Sequence, residues 1–344
     1  MNFPAAPGRA LLSLGRKLVP LALALTLSAA ASAGPIEELR QLSLLPEIDL
    51  AALKAGKVVT ERGALGAFPR GIHLEVCYFV KAPLDAVGDA LLHWDPVKHR
   101  DPEVRLYHEY PFPGGAAGAF KTLQLDASFA GDKWLLDQTA RAAQTGEAGD
   151  LHLTSEELTL LRQNAKSPSE AWQEILRRRH ETLARGGLAA VPPYGADKSI
   201  SPGSEFRGLL SLAPKAARHF EAITQAQPIV AGGKPASEAV GYWEAVKVRD
   251  HTTLQLALFA AQKSRDSWQL VNCIYYPSDT YFMSLELIQL WPVEGGTLVW
   301  QVDFVSAPFR TYLGGVDRYI AGKQMTEETL DTIKTFRAQL EKGR

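Results

Sequence analysis

The stretch Tyr281–Ser306, YFMSLELIQLWPVEGGTLVWQVDFVS, decides the fold class. It reads as two strands joined by a turn at Pro292-Val293-Glu294-Gly295-Gly296, with period-two alternation on both arms. On the first arm Tyr281, Met283, Leu285 and Leu287 point one way, and Ser284 and Glu286 the other. On the second arm Leu298, Trp300, Val302 and Phe304 share a face, with Gln301 and Asp303 opposite. Burying such side chains stabilises by ~2 kcal/mol each, an upper bound because the unfolded chain is already partly compact. The hairpin is therefore expected to form a wall of the core. Past Pro308 comes the longest helical pattern of the chain, Leu313, Val316 and Ile320, then Leu330, Ile333, Phe336 and Leu340. Such a helix needs a sheet to lie on. The expectation is an α+β fold, an antiparallel sheet gripping a long C-terminal helix, with a break or kink near Gly314, Gly315 and Gly322.

Upstream of the hairpin, Tyr242–Val248, Thr253–Ala260 and Trp268–Tyr276 have strand texture, and their spacing suggests an antiparallel meander. Earlier, Ile72, Leu74, Val76, Tyr78 and Val80 alternate with His73 and Glu75, a pattern expected to leave one face to water. Pro83 then opens a helix carrying Leu84, Val87, Leu91 and Trp94. Val104–Tyr110, Phe120–Leu125 and Lys133–Leu136 read as further strands. Between about Thr154 and Ala239 the texture turns helical. Thr154-Ser155-Glu156-Glu157 has capping-box spacing, and Ser167-Pro168-Ser169-Glu170 repeats it with proline at the first helical position. The apolar faces of this segment must be buried, so it is expected to be a helical insertion or lid within a single domain spanning 34–344.

The first 33 residues read as an export signal. Arg9, Arg16 and Lys17 precede the apolar run Leu18–Ala30, and Ala31-Ser32-Ala33 offers small residues before Gly34. The run is shorter than the ~20 apolar residues a membrane span needs. An exported protein, periplasmic or extracellular, cleaved near Ala33-Gly34, is the expectation. The formal charge of −1 becomes about −4 without Arg9, Arg16 and Lys17, which sets nucleic acid aside. The basic run Arg177-Arg178-Arg179-His180 is expected to be a solvated helix face. Export permits a disulfide between the two cysteines, Cys77 and Cys273. A bridge needs Cα atoms within ~7 Å, so two free buried thiols are the first expectation.

No catalytic motif stands out. There is no G-x-S-x-G, P-loop or G-x-G-x-x-G, and the Gly114-Gly115 and Gly295-Gly296 pairs fall in turns. His93, His99 and His108 lie close in sequence but match no ligand spacing, so no metal and no cofactor are expected. Glu286 and Asp303 sit on facing strands and could pair, but they belong to the more polar face, where solvent exposure is the plain reading. An acid/base role would require burial that raises one of them. What remains is hydrophobic capacity, the alternating face together with Tyr242, Trp243, Trp268, Tyr275 and Tyr276. Such a face either packs solid or lines an apolar pocket.

The run Val80-Lys81-Ala82-Pro83-Leu84-Asp85-Ala86-Val87, strand into helix, with Pro102-Glu103-Val104 opening the next strand, resembles the start of START-like (helix-grip, SRPBCC-type) domains. The late strands and C-terminal helix resemble their closing half, so the likeness covers roughly 70–125 and 242–342. A second resemblance, to a group of secreted bacterial proteins of unassigned function, rests on several runs. These are Arg179-His180-Glu181 through Gly186-Gly187-Leu188, the Pro193–Lys198 loop, Ser204–Leu210, Tyr242-Trp243, and Tyr275-Tyr276 before Tyr281-Phe282. START-like relatives bind lipids, sterols or polyketide-like molecules between sheet and helix, and some are enzymes; no binding residue transfers by motif. The resemblance implies a carrier or binding protein for an apolar small molecule or lipid, with transient membrane contact allowed for. The expected cavity residues are Met283, Leu285, Leu287, Leu298, Trp300, Val302 and Phe304, with no catalytic residue assigned. The alternatives are an enzyme acting on such a ligand and a structural or partner-binding envelope protein with a solid core.

Overall fold

The quoted hairpin forms as read, but with a tighter turn. Val293 pairs with Gly296, so only Glu294 and Gly295 make the connection, and Gly295 takes the left-handed φ of +85° that this turn requires. The structure, a computed structural model, describes residues 34–342 apart from 67, 100, 117, 165–166, 196–199 and 310–314. The expected signal segment and Ala196, Asp197 and Lys198 lie outside the described residues.

In chain order the first elements are α1 (Pro35–Leu42), α2 (Leu50–Lys54), β1 (Val59–Arg62), β2 (Gly71–Val80), α3 (Leu84–Leu92) and β3 (Val104–Pro111). A 3-10 turn at Ala119–Thr122 leads to α4 (Ala130–Thr145), α5 (Ser155–Gln163) and α6 (Pro168–Gly186). Then come α7 (Pro202–Leu210), α8 (Pro214–His219) and α9 (Glu221–Thr224). The meander β4 (Glu238–Val248), β5 (His251–Lys263), β6 (Trp268–Pro277), β7 (Met283–Val293) and β8 (Gly296–Ser306) follows, and α10 (Val316–Lys342) closes the chain. The eight strands form one antiparallel sheet in the order β1-β2-β8-β7-β6-β5-β4-β3. The first long strand thus pairs with the last, and α10 lies across the sheet. This α+β arrangement is compatible with a helix-grip fold.

Each face of the sheet carries its own core. One face, with Cys77, Leu285, Trp300 and Phe304, is covered by α1, α2 and α4–α9 through side chains such as Leu39, Leu53, Leu135, Trp172, Phe206 and Ile223. The other face, with Leu74, Val76, Leu270, Leu290 and Val299, is covered by α3 and α10 through Val87, Leu92, Ile333 and Phe336. The α3 helix sits tight on the sheet because Gly88 faces Trp268; a Cβ there would stand 2.2 Å from the indole ring. Both faces of β2 are therefore buried along its whole length, which corrects the expected solvent face at His73 and Glu75. The covering layer supplies what alternation within one strand cannot show.

Several local expectations also change. Phe120–Leu125 and Lys133–Leu136 are not strands; the first begins in a 3-10 turn and the second lies inside α4. Leu135, Thr139, Ala142 and Ala143 form the buried stripe of that helix, so 3.6-residue spacing prevails over the short apolar run Trp134-Leu135-Leu136. The α10 helix runs through Gly322 without a break; Gly314 lies outside the described residues. Cys77 and Cys273 are both free and buried. They sit on β2 and β6 with β8 and β7 between them, about 14 Å at the usual strand spacing and beyond bridging reach.

The basic run on α6 divides. Arg177 and Arg178 pair with Glu174 and Glu181 at the surface, as a solvated face should. Arg179 instead is 1% exposed and binds Glu157 through Nε at 2.6 Å and Nη2 at 2.7 Å. Glu157 also completes the capping box of α5, accepting from the Thr154 amide at 2.8 Å. The guanidinium lies 3.9 Å from the centre of the Tyr276 ring on β6 and donates to the backbone carbonyl of Pro192 at 3.1 Å. One buried cation thereby ties α5, α6, the following loop and the sheet together.

Candidate functional site

Between the sheet and α10 lies a cavity of about 330 Å³. Its floor is a polar strip, Asn272 on β6, Ser284 and Glu286 on β7, and Gln301 and Asp303 on β8. Tyr78, Leu91, Trp94, Phe259, Ile288 and Val305 make apolar and aromatic walls. Met325, Glu328, Thr329, Thr332, Ile333 and Phe336 of α10 form the roof, recurring at the three- and four-residue intervals that place them on one side of a helix. Trp94 meets Phe336 edge to face at 5.4 Å, joining the end of α3 to the roof. A second hollow of similar volume lies at the surface beside Phe112-Pro113 and Pro228, but it gathers no buried carboxylates.

Two carboxylates meet on the cavity floor. Glu286 and Asp303 are direct cross-strand partners, and Glu286 in turn stands opposite Asn272. Asp303 is 5% exposed and accepts hydrogen bonds from Gln301 Nε2 at 2.7 Å and Thr329 Oγ1 at 3.2 Å. Glu286 is half-buried and accepts from Asn272 Nδ2 at 3.1 Å, while Asn272 Oδ1 accepts from the Tyr242 hydroxyl at 2.9 Å. Among the described residues no lysine, arginine or histidine lines the cavity. Burial, reinforced by the Glu286 charge, pushes the Asp303 carboxyl up to about 8. Burial also raises Glu286, against the hydrogen bond from Asn272. On β4, Glu244 is buried and likewise raised to about 8, first by desolvation and then by Asp101 and Glu286. Asp303 and Glu244 thus hold a proton near neutrality, and can both donate and accept hydrogen bonds.

The seven residues expected to line the cavity lie elsewhere. Met283, Leu285, Leu287, Leu298, Trp300, Val302 and Phe304 are all fully buried on the opposite face, under α1, α2 and α4–α9. Trp300 packs against Phe220 at 5.6 Å between ring centres, and its Nε1 donates to Glu75 Oε2 at 3.2 Å. Placing these residues beside α10 puts the helix on the wrong face. The more polar face is the one α10 covers, and it holds Glu286 and Asp303, which are shielded by the helix where solvent exposure is expected. The sequence does carry a signal for this: Ile288, Leu290, Val299 and Val305 share that face with the carboxylates, and a solvated strip would not carry four large apolar side chains. Tyr78 and Asn272 have no such signal, since they join the site only through sheet order.

Three of the histidines make contacts that tie elements together. His93 bridges Glu109 and Glu238 at the surface, and His99 stacks on Trp94 at 3.8 Å. His251 bonds Asp279 at 2.8 Å and stacks on Trp134 of α4 at 3.8 Å, holding that helix to the sheet. Among the described residues no group of three or more His, Cys, Asp or Glu could hold a metal ion. Comparison with models of known protein families, with curated proteins and with solved structures finds no match.

Proposed function

We propose that this chain is a START-like protein that binds a small, largely apolar molecule carrying a polar group, held between the sheet and α10. The observation that carries the reading is the cavity of about 330 Å³, with apolar and aromatic walls, a polar strip along its floor and a mixed roof. Ligand sites of ~300–1,000 Å³ have this composition, apolar lining with a few convergent polar groups that fix orientation. The strand order, with the first long strand beside the last, supports the START-like assignment, as does the position of the closing helix. The volume suits a small ring system or a short chain.

Ser284 lies on the floor and is partly exposed to the cavity, so Ser284→Phe fills the space without entering the fully buried core. The test is native mass spectrometry of protein from its own host, with ligand-observed NMR against a library of small apolar molecules. Wild type should hold a small-molecule adduct or bind library members, and the folded Ser284→Phe variant should lose both. No adduct and no binder on wild type would end the carrier reading.

A second reading is favoured by the Asp303 carboxyl near 8 beside Glu286. A carboxyl titrating close to neutral pH can pass a proton to a bound molecule and recover it, so the pair could work as a general acid–base. Turnover of a bound ligand that disappears in Asp303→Asn, while its binding persists, would select the enzyme over the carrier.

A further inference from the structure

We infer that the ligand of this cavity is an organic cation, an amine whose ammonium group lies between Glu286 and Asp303 and whose apolar body fills the space under α10; this rests on the binding reading above. The first observation is charge. Glu286 and Asp303 on the floor and Glu328 in the roof give the cavity three carboxylates, and no cationic side chain lines it among the described residues. The hydrogen bonds to the floor pair come from Asn272, Gln301 and Thr329, all neutral donors. Directly opposed like charges destabilise a sheet, and a buried carboxylate is costly without a partner. An ammonium bound between them would relieve both costs.

The second observation is independent of the acids. Tyr78 on β2 lines the cavity and is 1% exposed, so its side chain meets a bound molecule directly. A phenol hydroxyl there can both donate to and accept from a polar group of the ligand. The walls supply the third. Trp94, Phe259, Phe336 and Tyr78 surround the space with aromatic rings, whose faces attract a desolvated organic cation. A metal ion fits poorly here, because hard cations take six or more oxygen ligands and no group of metal-ligating side chains is present among the described residues.

The test compares three probes of nearly equal size, phenethylamine, phenethyl alcohol and 3-phenylpropionate, by titration calorimetry and protein-observed NMR at pH 8. The amine should bind at least about tenfold more tightly than the alcohol, and the propionate should be weakest. Glu286→Gln and Asp303→Asn should each erase most of the amine's advantage over the alcohol. Equal affinity for amine and alcohol overturns the cation and leaves the cavity reading standing. A preference for propionate overturns it more strongly. If none of the three shifts the resonances of Tyr78, Phe259 or Phe336, the cavity reading fails along with the inference. The decisive comparison is made on wild type, so the ranking of the three probes decides the matter even where a variant does not fold.

Discussion

Glu286 and Asp303 stand directly opposite each other on β7 and β8, beneath α10, with neutral Asn272, Gln301 and Thr329 as the hydrogen-bond donors to their carboxylates among the described residues. Two acids at this separation, shielded from water, cannot both ionise easily. That relationship makes the centre of the sheet sensitive to pH. Asp303 is raised to about 8 in the folded protein, against ~3.9 in the unfolded chain. Between those values the folded state holds a proton that the unfolded state has released. The associated stability is fully present below the unfolded value, declines as pH rises, and is lost by the time pH passes the folded value. Urea unfolding from pH 5 to pH 8.5 should show wild type losing stability relative to Asp303→Asn, by on the order of 1 kcal/mol or more. Parallel curves for the two proteins would refute the buried pair.

Trp300 is a core residue of the opposite face, against Phe220, Trp291 and Glu75. Trp300→Ala removes a fully buried indole and leaves Glu75 without one of its two hydrogen bonds. The expected loss is ~3–5 kcal/mol in urea unfolding, with ligand affinity under α10 unchanged in the folded fraction. A loss below about 1 kcal/mol would mean that this face holds space after all.

Much of the architecture is legible in the sequence because alternation and helical spacing are properties of single segments. The hairpin, the meander, the capping box at Thr154 and Glu157, and α10 can all be read one segment at a time. Which face of the hairpin α10 covers cannot, because that choice is made by the helices α4–α9. They bring Trp172, Phe206 and Phe220 to the more apolar face, leaving α10 the mixed one with Asp303 and Ile288. The site escapes a reading of the sequence for this reason. Glu286 and Asp303 are recognisable as facing residues, but a polar residue on a strand looks the same whether water or a helix lies above it. Arg179 is hidden in the same way, since its neighbours Arg177 and Arg178 do face solvent and only the third arginine turns inward.

Burial raises both thiols, with Cys77 pushed up to about 12, so neither should ionise or react in the native protein. A thiol reagent at pH 8 should label none of the folded chain and two groups per chain in denaturant without reductant. A count of zero in denatured monomer would show a disulfide and contradict the strand order between β2 and β6.

The last prediction concerns Arg179, whose buried charge is balanced among the described residues by Glu157. Removing one member of a buried pair leaves the other charge without a partner, which costs ~3–5 kcal/mol; replacing both by neutral groups of similar size costs far less. Arg179→Met should therefore be severely destabilising, because it strands the Glu157 carboxylate and also leaves the Pro192 carbonyl without its donor. Glu157→Gln alone leaves the guanidinium buried without a counter-charge, so it too should be costly. In the double variant the glutamine can still serve the capping box at Thr154, and no buried charge remains. It should recover at least half of what Arg179→Met loses. Thermal and urea unfolding of the four proteins give the coupling directly. Additive losses in the double variant would mean that Arg179 acts through its carbonyl contacts and the Tyr276 ring, and that the ion pair with Glu157 is incidental to holding α5 and α6 on the sheet.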